Sequence, residues 1–133
     1  MPVVAKGSFS VEMKPQADAG AVDGVSLGRM SLDKRFEGDL VGAGQGEMLT
    51  ALTGVKGSAG YVAMERVTGT LHGKSGTFAL QHSGTMTRGA QQLSITVVPD
   101  SGTGALAGIA GVFKLNMSDG RHFYELEYTL PAP

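Results

Sequence analysis

Residues Ser58 to Gly84, SAGYVAMERVTGTLHGKSGTFALQHSG, constrain the fold more than any other stretch of the chain. Two alternating runs flank His72-Gly73, and glycine in second place suits a two-residue hairpin turn that needs positive φ. If Leu71 and Lys74 flank that turn, paired residue numbers sum to 145, and the facing of every side chain follows from strand alternation. One face then carries Tyr61, Ala63, Glu65 and Val67 opposite Gly84, His82, Leu80 and Phe78. The other carries Val62, Met64, Arg66 and Thr68 opposite Ser83, Gln81, Ala79 and Thr77. The first face holds the aromatics and more of the large apolar groups, so it is the inner one. Glu65 and His82 go inside with it, as diagonal neighbours about 5–8 Å apart.

A chain of 133 residues is long enough for one core, and residues 1–133 are expected to form a single domain. The formal net charge of -1 and the scattered Lys and Arg leave no electrostatic footprint for nucleic acid or an anionic membrane. Zero cysteines removes disulfides, thiolate chemistry and Cys-bound zinc. No apolar run reaches the length of a membrane span, and MPVVAKGSF has no signal-peptide pattern, so a soluble cytoplasmic protein is expected. The 21 glycines are spread along the chain, which favours turns and bends over helices.

Val3 to Lys14 alternates, with Phe9, Val11 and Met13 on one side, and Pro15 is expected to end that strand. PQADAGAVDG then reads as a loop. Val25 to Glu37 forms the next strand, with Met30, Leu32, Lys34 and Phe36 on one face, and Gly38-Asp39 turns into a strand beginning at Leu40. Pairing across that turn is expected to sum to 77, setting Phe36 against Val41, Lys34 against Ala43 and Met30 against Glu47. Gly42, Gly44 and Gly46 put glycine down one face of that strand, as a barrel bend requires.

After the central hairpin, Ala90 to Val98 alternates Leu93, Ile95 and Val97 with polar residues. DSGTGALAGIAG follows, with room for at most one or two helical turns. Asp119-Gly120 makes the last hairpin, with pairs summing to 239. Phe113, Leu115 and Met117 then share a face with His122, Tyr124, Leu126 and Tyr128, and Lys114 faces Glu125 outside as an ion pair. The count is about eight strands joined by short turns, with no crossover helix. Closing such a sheet removes its edges, so the fold class is all-β, an eight-stranded antiparallel β-barrel.

The chemistry is sparse. Gly102-Thr103-Gly104-Ala105-Leu106-Ala107 matches a dinucleotide fingerprint, but no βαβ unit surrounds it, and it reads as a turn and cap closing one barrel end. His72, His82 and His122 lack close ligand spacing. His82, His122 and Glu65 would make a two-His-one-carboxylate set across the lumen, but their strands are not neighbours. No metal and no cofactor is therefore expected, and His72 reads as a solvated turn residue. No serine stands in a nucleophile elbow, and Ser101 reads as a turn former. What remains is the lumen. Glu65 and His82 are the candidate catalytic pair. Tyr61, Phe78, Leu80, His122, Tyr124, Phe113, Glu47 and Lys34 are the candidate ligand-binding residues, with Gln45 beside them. A buried Glu65 without a partner would have its pKa raised and serve as an acid or base. A filled plug in which Glu65 and His82 satisfy each other is the alternative, since eight-stranded barrels are either filled or hold one small ligand.

Five segments carry a resemblance: Lys34-Arg35-Phe36-Glu37-Gly38-Asp39-Leu40, Gly57-Ser58-Ala59-Gly60-Tyr61, Gly76-Thr77-Phe78-Ala79-Leu80-Gln81-His82, Ser101-Gly102-Thr103-Gly104-Ala105-Leu106-Ala107-Gly108 and His122-Phe123-Tyr124-Glu125-Leu126-Glu127-Tyr128. On these the chain closely resembles the bacterial domain-of-unknown-function 3224 family, which in turn looks like the allene-oxide-cyclase-like barrel superfamily. The resemblance implies an eight-stranded antiparallel barrel, a homo-oligomer, and a lumen open to small apolar molecules. It transfers no catalytic residue. The favoured reading is a barrel that binds a small apolar molecule in its lumen. The alternatives are a cofactor-free cyclase or isomerase using Glu65 and His82, and a structural or assembly protein with a filled barrel.

Overall fold

In the computed structural model, which describes residues 2–132, eight antiparallel strands close into one barrel in sequence order. They are β1 (Val3–Val22), β2 (Val25–Gly38), β3 (Leu40–Leu52), β4 (Ala59–Leu71), β5 (Lys74–Thr87), β6 (Ala90–Val97), β7 (Ala110–Ser118) and β8 (Arg121–Thr129). β8 pairs back onto β1 from Val3↔Tyr128 to Phe9↔His122 and closes the ring. The helical content of the described residues is one 3₁₀ turn, Gly104–Leu106. Among the described residues, no helix is long and apolar enough to cross a membrane.

Four connections are two-residue turns with positive φ at both positions: Asp23-Gly24, His72-Gly73, Arg88-Gly89 and Asp119-Gly120. That geometry matches the right-handed twist of the flanking strands, which is why glycine recurs in second place. The central register is the expected one, with Leu71↔Lys74 and Glu65↔Leu80, and the last hairpin has Phe113↔Leu126.

Two expectations fail here. β1 does not end at Pro15; it runs to Val22, with Pro15 opposite Met30 and register shifts on the way to the Asp23-Gly24 turn. Proline is tolerated because β8 leaves β1 at Phe9, so the other edge of β1 has no ladder to interrupt, and a bulge follows at once. The β2–β3 register sums to 78, giving Phe36↔Gly42, Lys34↔Gly44 and Met30↔Met48. The chain pivots on Asp39, which is held from outside the hairpin. Its N–H donates to Lys6 O at 3.0 Å, its carboxylate accepts the Lys6 N–H at 2.9 Å, and its carbonyl accepts the His72 N–H at 2.9 Å.

Inward residues fill one half of the barrel. Phe36, Leu40, Val67, Leu71, Phe78, Leu80, Phe113, Tyr124 and Leu126 pack around the axis. Leu106 and Ile109, from the segment after β6, plug that end. Each such side chain contributes about 1.5–3 kcal/mol by leaving water. The Tyr124 hydroxyl donates to Glu37 O and accepts from the Leu40 N–H, both at 2.9 Å, which ties β8 to the β2–β3 turn. The Gly102–Ala107 run is a turn and cap, as its sequence context suggests, with the Thr103 N–H on Thr77 O at 2.8 Å. On the outside, Lys114 pairs with Glu127 at 4.0 Å and Lys6 with Glu125 at 3.3 Å. The expected Lys114–Glu125 ion pair does not form, although the two residues are opposite in the ladder: Lys114 reaches the diagonal Glu127, and Glu125 pairs with Lys6, directly opposite it on β1. At the closed end the exposed His72 is not simply solvated: its Nδ1 meets the Tyr128 hydroxyl and its Nε2 lies 3.5 Å from Asp39.

Candidate functional site

The other half of the barrel is hollow. A cavity of about 500 Å³ opens toward the Asp23-Gly24, Arg88-Gly89 and Asp119-Gly120 end, and every strand contributes to its wall. Strand alternation puts Val11 and Met13 of β1, Leu32 of β2, Met48 and Leu52 of β3, Met86 of β5, Leu93 of β6, and Leu115 and Met117 of β7 on that wall, so most of it is apolar. Phe9 separates it from the packed half, within an aromatic set whose Phe9–Phe36 centroids are 5.8 Å apart and whose Phe113–Tyr124 rings stack at 5.5 Å.

The buried polar side chains, Lys34, Glu65 and His82, meet at the floor of this cavity. Glu65 of β4 and His82 of β5 share the inner face, and Glu65 Oε1 lies 2.9 Å from His82 Nε2. Lys34, from β2 two strands away, reaches the same oxygen at 3.0 Å. All three are buried: Lys34 is 5% exposed, Glu65 1% and His82 3%. Burial alone would push the Glu65 carboxyl up. The hydrogen bond from His82 and the charge and hydrogen bond of Lys34 outweigh it, and the carboxyl sits below the usual glutamate value. The raised pKa was the expectation for a Glu65 without a partner; that condition is not met, because Glu65 has two partners, His82 and Lys34, where the sequence offered one. With the carboxylate ionised, His82 Nε2 is the donor.

Gly44 explains how a carboxylate fits there. A Cβ at that position would stand 2.1 Å from Glu65 Oε2 and 3.0 Å from the Phe36 ring, so the missing side chain of β3 is the space the carboxylate occupies. Glu65 Oε2 is buried with no hydrogen-bond partner and is turned to that wall.

The remaining candidate residues divide by depth. Tyr61 and His122 line the cavity with Lys34 and His82. The Tyr61 ring fills the space above its cross-strand partner Gly84, and burial pushes its hydroxyl pKa up. The His122 ring lies 5.1 Å from Phe9. Phe78, Leu80, Phe113 and Tyr124 lie deeper, in the packed half. Glu47 is corrected by the β2–β3 register: it is on the outer surface opposite Ser31, paired to Arg29 at 3.5 Å, and Gln45 is likewise exposed. Glu65, His82 and His122 do not come together as a ligand set; no three His, Asp or Glu do so among the described residues.

Sequence reasoning did not single out Met48, Met86 or Thr50 as wall residues. The signal for Met86 was its parity with His82 and Gly84. That for Met48 and Thr50 was lost with the one-residue register error. Methionines on four strands give the mouth a flexible, polarizable surface.

The model for proteins of unknown function DUF3224 matches residues 5–128. The chain belongs to the DUF3224 family. A crystal structure of a DUF3224 protein of unknown function from Shewanella oneidensis MR-1 is 46% identical, with all of both chains covered and a TM-score of 0.95. No curated protein matches the chain. At that identity the DUF3224 barrel is shared by both proteins.

Proposed function

We propose that this DUF3224 barrel binds a small, largely apolar molecule in its lumen. The observation that carries the reading is the unequal filling of the barrel: one half is packed and plugged, and the other is an apolar-walled cavity of about 500 Å³. Ligand pockets run about 300–1,000 Å³, with mainly apolar walls and a few convergent polar groups. The resemblance to allene-oxide-cyclase-like barrels points the same way, since it implies a lumen that takes small apolar molecules.

The test is a fluorescence titration with the neutral dye N-phenyl-1-naphthylamine. Wild-type protein is expected to bind it with micromolar affinity at one site. Thr50→Trp, which places a large ring into the cavity from β3, is expected to lose that binding while its far-ultraviolet circular dichroism stays unchanged. Absence of dye binding to the wild type, or undiminished binding to a folded Thr50→Trp protein, would end this reading.

A further inference from the structure

We propose that the cavity floor is a head-group site for a small carboxylic acid whose apolar tail occupies the cavity; this deepens the reading of the lumen as a binding site and rests on it. The argument is a count of donors and acceptors. A lysine ammonium has three donors. Lys34 gives one to Glu65 Oε1 at 3.0 Å, and no other hydrogen bond engages it among the described residues. It lies over the Phe9 ring, 5.1 Å from the centroid, and borders the cavity.

His82 supplies the complementary half. Its Nε2–H is committed to Glu65 at 2.9 Å, so in the neutral imidazole the lone pair is on Nδ1, an atom that no described residue engages. Glu65 does not compete for the ligand, because its second oxygen is turned to the Gly44 wall. The floor therefore offers N–H donors beside one acceptor, in a set whose formal charges, Lys⁺ and Glu⁻ with a neutral imidazole, sum to zero.

A carboxylic acid fits both halves. One carboxyl oxygen accepts from Lys34, and the proton that His82 Nδ1 gains comes from the acid's O–H or, for the ionised acid, from water. The O–H bond breaks, an N–H bond forms, and nothing else is exchanged. The product alternates in sign, with Lys⁺ and imidazolium each touching Glu65 and the ligand carboxylate. An amine head would set a cation against Lys34, and an ester has no proton to give. Four titratable groups share the cavity and its floor with His82: Glu65, which it touches, and Tyr61 on β4, Lys34 on β2 and His122 on β8; its β6 partner Ile95 has none.

The experiment compares decanoate, methyl decanoate and decylamine as competitors of N-phenyl-1-naphthylamine on the full chain. Decanoate is expected to bind at least roughly tenfold tighter than the ester, as charge-assisted hydrogen bonds in a desolvated site require. Because binding takes up one proton, its affinity is expected to rise as the pH falls from about 8 to about 6, while that of the ester stays level. Lys34→Met is expected to abolish the preference. Because that change strands Glu65, Lys34→Met/Glu65→Gln is the companion that keeps the floor neutral, and it too is expected to lose the preference and still bind the dye. Equal binding of acid and ester, or a preference that survives in the double variant, overturns the head-group site while dye binding leaves the cavity reading standing. Failure of the wild type to bind dye and all three probes overturns both.

Discussion

Lys34 and Glu65 are charged side chains with almost no exposure, 5% and 1%, and each is tolerable only because of the other. Removing one member of a buried pair leaves an uncompensated charge and costs about 3–5 kcal/mol, whereas removing both charges together is far cheaper. Glu65→Gln and Lys34→Met are therefore each expected to lose stability on that scale, and the double variant to recover more than half of the summed loss. Urea unfolding of the four proteins closes the cycle, and simple additivity would refute the coupling. The pH dependence follows from the direction of the Glu65 shift. Its carboxyl lies below the ordinary value of 4.5 in the folded chain, so its contribution is complete above that value and fades as the pH drops through the lower, folded one. Wild-type stability should fall on acidification below about pH 4.5, and Glu65→Gln should lack that part of the fall. Alternation alone made the Glu65–His82 pair legible, since it depends on one hairpin whose turn is encoded between its strands. Lys34 was placed on the right face, but its link to Glu65 crosses β3 and rests on Gly44 having no side chain, which no local pattern announces.

The strands differ in how completely they are held. β4 and β5 pair along their full lengths, whereas β6 meets β7 in a single ladder pair, Thr96↔Val112. Ala90–Ser94 thus has a partner only in β5, and residues 114–118 of β7 only in β8. Gln91, Gln92, Leu93, Leu115 and Met117 border the cavity along that slot. Local opening is easiest where backbone groups have one neighbour and face solvent. In hydrogen exchange, amides of Gln91–Ser94 and of 115–118 that point into the slot are expected to exchange at least about tenfold faster than those at the centre of β4 and β5. Uniform protection around the ring would show the seam to be as tight as the rest. This element scale is also where the sequence misled. Asp23-Gly24 is as strong a hairpin signal as Asp119-Gly120, but Pro15 argues against a continuous strand. It ceases to do so only because β8 is too short to reach that part of β1. The β2–β3 register was hidden for a related reason: Asp39 is set by Lys6 and by the His72 turn, both outside the hairpin whose pairing it decides.

Over the whole molecule the barrel is two materials in one wall. The half nearest Leu106 is close-packed, and there a deleted side chain leaves a new void whose lining loses its contacts. The half nearest the Asp23-Gly24 turn already borders empty space, so a deletion there enlarges a cavity the fold already carries. Phe36 is 2% exposed and touches the rings of Phe9, Phe113 and Tyr124, with centroids 5.8, 6.1 and 5.9 Å away. Phe36→Ala is expected to cost about 3–5 kcal/mol. Met48, on the cavity wall and only half-buried, should cost below about 2 kcal/mol on mutation to Ala, under the usual range for core Met→Ala changes. The same pair separates stability from binding. Met48→Ala changes the wall a ligand touches and should alter dye affinity at nearly constant stability. Phe36→Ala should lower the unfolding midpoint, yet leave the dye affinity of the protein that remains folded within about a factor of three. Equal stability losses from the two truncations would mean the cavity collapses in solution, and a collapsed lumen would leave no room for the ligand the barrel is proposed to hold.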